Sequence, residues 1–175
     1  VYAFTVNGAS GVYRKDVSDE KAREEHILSS SDSEILTLHR GAENTYAVTV
    51  RANGVTSHIG ILYGSNSELK TLTDGDTRDQ NAYFSAVNRN EILFDSAGVG
   101  RDSEGNFSGR YSPAVICSLD LGTMEIKEIF RDKELSCTKP KQAKDGALYC
   151  IQRPNREKRG GNPLVEILLI PYRII

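Results

Sequence analysis

The feature that most constrains this chain is a repeat. Four segments superimpose on one another, each opening with a short aromatic or aliphatic strand pattern. The first contains Tyr2 to Val6, Gly11 to Asp16 and Glu25 to Leu28. The second contains Thr45 to Val50, His58 to Tyr63 and Leu69 to Thr73, and the third Glu91 to Asp95, Ala114 to Asp120 and Ile126 to Phe130. The fourth contains Ala147 to Ile151 and then Leu164 to Leu169. Aligning Tyr2, Tyr46, Ile92 and Leu148 gives steps of 44, 46 and 56 residues, the last lengthened by an insertion. A chain with such self-similarity builds its core between neighbouring copies rather than around one centre.

A further short strand pattern lies between copies at Ile35–Leu38, Ala82–Ser85 and, more weakly, Leu135–Thr138. The joints carry turn residues: Asn53-Gly54, Asp74-Gly75, Gly122 and Asp145-Gly146. Four short strands in roughly 45 residues is the period of a β-propeller blade. The expectation is therefore an all-β, β-propeller-like array of four-stranded antiparallel blades, with modules at about 1–34, 35–79, 80–133 and 134–175. Phe94 is expected to point into an interface between blades. The stretch from Asp16 to Glu25, with Ser18 as a candidate N-cap, has almost no apolar face, so an exposed loop is preferred there over a helical turn.

The modules resemble the blades of TolB-like β-propellers. The resemblance rests on Val12 to Asp16, on Leu69 to Gly75 and on Ile116 to Leu121, each a strand running into a turn. It rests also on the hairpin-like stretches Ala82 to Phe94 and Lys139 to Tyr149. It implies a fold and leaves activity open, because propellers of many functions share these features. The lack of any more specific motif favours a bacterial protein. With no tryptophan in the chain, tryptophan-aspartate repeats are excluded in their usual form.

Three modules and part of a fourth are fewer than such propellers usually close with, and an open stack leaves unpaired strand edges. Closure as a four-bladed ring, self-association of two chains, or a remainder lying elsewhere in a longer polypeptide would each solve this. The chain opens at Val1 inside a strand pattern and stops at Ile174-Ile175 after an apolar run. A fragment with a trimmed N-terminus is expected, which keeps export open beside a cytoplasmic location.

Charge narrows the partners. Lysine plus arginine number 22 against 24 aspartate plus glutamate, a net charge of −2, which removes the global electrostatic case for nucleic acid or an anionic membrane. No apolar run reaches spanning length, the longest being Val165 to Ile170. Cys117, Cys137 and Cys150 have no metal-ligand spacing and are odd in number, so neither a disulfide framework nor a zinc site is expected.

The insertion from Asp95 to Tyr111 is the most distinctive stretch. Its oxygens suggest calcium, yet the spacing is not that of an EF-hand and Arg101 sits among them. Gly98 and Gly100 suggest a phosphate loop, yet no Gly-Lys-Ser/Thr follows. A long hairpin tip serving partner contacts is preferred, with Asp95, Arg101, Asp102 and Glu104 as candidate binding residues. The basic run Lys139 to Lys144, followed by Arg153 to Arg159, adds Tyr149, Arg153 and Arg156 as candidates for an acidic partner, although Pro154 and Gly160-Gly161 favour a solvated hairpin tip there. His26, His39 and His58 are isolated from one another, and no Gly-x-Ser-x-Gly elbow is present. No catalytic residue, metal or cofactor is assigned. The sequence favours a non-catalytic scaffold for protein interaction or ligand recognition, with self-association as a second kind of contact. The alternative is a part of a larger propeller enzyme or sensor whose reactive groups lie outside this segment.

Overall fold

The computed structural model describes residues 1–64 and 67–154, and all regular structure in them is β. Strands β1 (Tyr2–Val6), β2 (Ala9–Arg14) and β3 (Glu25–Ser30) form an antiparallel three-stranded sheet. Then come β4 (Glu34–Arg40), β5 (Thr45–Arg51), β6 (Ser57–Tyr63) and β7 (Glu68–Thr71), paired in chain order as a four-stranded antiparallel unit. The next unit is β8 (Thr77–Phe84), β9 (Glu91–Arg101), β11 (Val115–Asp120) and β12 (Ile126–Phe130), with β10 (Phe107–Tyr111) folded back on β9 as an extra hairpin. Strands β13 (Leu135–Gln142) and β14 (Leu148–Pro154) form the last described pair. The two four-stranded units are joined in one hydrogen-bonded sheet only through the parallel bridge Ser57 to Arg78. This is the expected all-β, propeller-like array of antiparallel blades.

The turns form where the chain carries turn residues. The Asn53 carboxamide accepts from the amides of Val55 and Thr56, both at 2.8 Å, and shapes the β5–β6 connection. Asp120 does the same for Gly122 and Thr123 between β11 and β12. Gly146, at φ +91°, turns β13 into β14 in a conformation that costs a side chain dearly. The stretch between β2 and β3 is an exposed loop, as its missing apolar face requires.

Because the second unit buries apolar side chains on both faces, the core lies between units. Val12, Ile27 and Leu28 of the first sheet pack on Ile35, Tyr46, Val48, Val50 and Leu62 of the second. On the far side, Ala47 and Ile59 meet Ala82, Ile92, Phe94, Cys117 and Leu119 of the third. Phe94 is thus at the interface the alternation pattern assigns to it, 1% exposed. Among the described residues no helix is long and apolar enough to cross a membrane.

The first strands of successive units, β4, β8 and β13, lie side by side, and each is irregular at a matching place. Pairing shifts between Ile35 and Thr37, between Gln80 and Tyr83, and between Thr138 and Lys141. Asn81 and Lys139 at the last two bulges adopt positive φ, at 56° and 55°, a conformation few side chains adopt without support. Asp95 supplies that support at both. Its Oδ1 accepts from the Asn81 side chain at 2.8 Å and from the Lys139 amide at 2.9 Å. One unit earlier, Thr49 stands at the equivalent position, taking the Thr37 hydroxyl at 2.7 Å and the Ala82 amide at 3.4 Å. A polar residue on the second strand of a unit therefore ties its own first strand to that of the next unit.

Candidate functional site

The bulges bring one residue from each first strand to the same level. His39 pairs with Ala47, Tyr83 with Leu93 and Lys141 with Tyr149, each one place before the last pair of its ladder. Tyr83 makes contact with both of the others. The His39 and Tyr83 rings lie with centroids 4.0 Å apart and tilted by 41°, and the Lys141 ammonium sits 3.9 Å from the Tyr83 ring centroid.

His39 is held as a neutral imidazole. Burial lowers its pKa first and the Lys141 charge second, to about 4. The Phe84 amide donates to its Nδ1 at 3.3 Å, which leaves the proton on Nε2. Burial also lowers the Lys141 pKa.

This ladder borders a cavity of about 670 Å³ between the second and third units, within the range of small-molecule sites. Its wall is built by the β4–β5 and β8–β9 turns, together with Ile61, Tyr63 and Leu121. Arg40, the last residue of β4, and Arg89, in the β8–β9 turn, also line it. Gly41 makes room in it: a Cβ there would stand 2.5 Å from the Phe84 ring, so the absent side chain lets Phe84 lie against the turn. A smaller recess of about 210 Å³ adjoins it, sharing His39 and lined also by Lys139 and Lys141.

The residues singled out from the sequence lie elsewhere. Arg101, Asp102 and Glu104 do share the β9–β10 hairpin tip. Arg101 is paired with Asp76 at 2.8 Å, which holds the Asp76 carboxyl below its usual range. Asp102 spends its Oδ1 on the amides of Glu104 and Asn106, so it shapes the turn. Asp95 is not part of that tip: it is 3% exposed within β9, and desolvation raises its carboxyl pKa. It went unrecognised as a structural tie because the bulges it serves come from two strands remote in sequence. Tyr149 and Arg153 are exposed on β14, on the face that alternation assigns to both. Arg156 lies outside the described residues. Among the described residues no three of His, Cys, Asp and Glu converge to hold a metal ion.

His39, Arg40, Tyr83 and Arg89 went unassigned in the sequence, and Lys141 figured only as part of the basic run from Lys139 to Lys144. Counting back from the aligned strand starts Tyr46, Ile92 and Leu148 gives 7, 9 and 7 residues to His39, Tyr83 and Lys141, a column that a register-based alignment would expose.

No family profile matches this chain, and no curated protein matches it. Among solved structures it is similar to TolB from Acinetobacter baumannii, with a TM-score of 0.59 and 18% identity over 85% of this chain and 33% of that one. An uncharacterised protein from Listeria monocytogenes also matches, at TM-score 0.49 and 12% identity over 91% of this chain and 48% of that one. So does a puromycin hydrolase S511A mutant complexed with PGG, at TM-score 0.33 and 12% identity over 82% and 29%. The chain spans about a third of the length of the TolB structure it matches. The fold is TolB-like. At this identity the likeness concerns fold alone.

Proposed function

We propose that this chain is a non-catalytic recognition scaffold whose ligand sits in the cavity between the β4–β5 and β8–β9 turns. The observation that carries this reading is the wall itself: two adjacent units each contribute aromatic rings and one arginine to a single concave site of about 670 Å³. Rigid strands hold such a wall, while the turns at its rim carry the polar contacts. The one histidine in it is committed to structure, packed against the Tyr83 ring and accepting from a backbone amide. That use of His39 favours recognition over proton transfer.

The test is amide shift mapping of the 175-residue chain against a mixed library of anionic, neutral and cationic fragments. Perturbations gathered on residues 39–45 and 83–90 are the expected result. Perturbations gathered on the β9–β10 tip, around Arg101 and Glu104, would move the contact surface there and overturn the placement.

A further inference from the structure

We infer that the cavity takes a small anionic molecule carrying at least two carboxylate or phosphate groups on a flat or apolar body. This deepens the recognition reading above and rests on it. The first support is charge. The cavity wall carries Arg40 and Arg89 against the single acid Glu43, and the adjoining recess adds Lys139 and Lys141 with no acid in its lining. The chain as a whole is slightly acidic, with a net charge of −2, so this local excess of cations is a property of the site.

The second support is that these cations are unspent. Arg14, Arg51, Arg101 and Arg131 are each in an ion pair, while among the described residues neither Arg40 nor Arg89 is paired with a carboxylate. Guanidinium groups left open in a concave site present fork-shaped donors that match a carboxylate or phosphate in pairs. Arg40 ends β4 in the second unit and Arg89 lies in the β8–β9 turn of the third, so one anionic group per unit is the arrangement they fit. Lys141 stands over the Tyr83 ring, is in no ion pair among the described residues, and supplies a third cation in the adjoining recess.

The third support is the surface between the charges. Tyr63, Tyr83 and Phe84 line the cavity, and two of these rings are held, Tyr83 by contacts with His39 and Lys141 and Phe84 against Gly41. Fixed rings give contact area without loss of side-chain freedom on binding. A protonated His39 Nε2 adds a neutral donor beside them.

The experiment is calorimetric titration of the 175-residue chain, with amide shift mapping, using citrate, pyrophosphate, glucose and spermidine as probes. Citrate or pyrophosphate should saturate, perturb residues 39–45 and 83–90, and bind more weakly as salt rises. Citrate alone would assign carboxylate chemistry and pyrophosphate alone phosphate chemistry. Arg40→Gln and Arg89→Gln should each weaken binding about tenfold with unchanged melting, and Lys141→Met should weaken it where Lys141→Arg does not. Glucose mapping to the cavity while both anions fail would overturn this inference and leave the recognition reading standing. If neither these probes nor any fragment of the library maps there, both fall. Anion binding that is indifferent to all three substitutions overturns the inference as well.

Discussion

Replacing Asp95 by alanine tests whether the first strands are tied together as described. The substitution strips the acceptor from two donors, the Asn81 carboxamide and the Lys139 amide. Each buried donor left without a partner costs about 1–3 kcal/mol. The full sum is not expected, because the half-buried Asn81 can turn toward water. Removing a buried charge also returns part of the loss, since desolvation is the leading cause of the raised Asp95 pKa. A net loss of about 2–3 kcal/mol in urea unfolding at pH 7 follows. The pH dependence has a definite sign. A carboxyl whose folded pKa is raised above 3.8 takes up its proton in the folded state first. Its contribution to stability therefore increases as pH falls through the folded pKa and stops increasing below 3.8. The gap between wild type and Asp95→Ala must widen from pH 7 toward pH 4. A loss under about 0.5 kcal/mol, or a gap that narrows on acidification, would refute the tie.

Three other outcomes are expected. Phe94→Ala should cost about 3–5 kcal/mol by the same urea assay, whereas Arg101→Ala, at an exposed ion pair, should leave the midpoint where it was; equal small effects would contradict the packing of β9 between units. His39 titrates from 6.5 unfolded to about 4 folded, so the unfolded chain alone takes up the proton between those values and stability is lost as pH falls through that window. Full burial would make the loss about 3 kcal/mol, and screening at this half-exposed ring brings it to about 1–2 kcal/mol; His39→Gln should flatten that part of a melting-temperature profile. Burial, with Asp79 and Glu128 next, pushes the Cys117 thiol up to about 11, so peptide mapping after alkylation of the native protein at pH 8 should find Cys117 unmodified, and rapid modification there would place it outside the core.

The architecture was legible because its causes are local and repeated. Strand patterns recur at Tyr2, Tyr46, Ile92 and Leu148, and the connections between them carry Asn, Asp and Gly where a turn needs them. The β10 strand was not legible. It lies in a stretch broken by Gly98, Gly100, Gly105 and Gly109, residues that weaken any strand signal. Its pairing instead exploits them: a Cβ at Gly100 would stand 2.6 Å from the Ser108 hydroxyl, so the close approach of β9 and β10 depends on glycine. Arg78 over the Tyr111 ring, and the Tyr111 hydroxyl donating to the Val55 carbonyl at 2.9 Å, then hold the hairpin against its neighbours.

The site was hidden for a different reason. His39, Tyr83 and Lys141 have nothing in common as residue types, and no window along the chain contains two of them. What they share is register, and register depends on bulges that the apolar alternation does not record. A bulge inserts one residue into a strand, so each first strand changes which residues it presents beyond that point. The acceptors that hold the bulges, Thr49 and Asp95, sit at the same distance from the aligned residues Tyr46 and Ile92. In this chain the repeat therefore carries a structural device at a fixed place and leaves the column beside it free to vary. A repeat protein can thus keep its fold while changing the chemistry of its concave face, one column at a time. The residues to compare between such chains are those of that column, whatever their types.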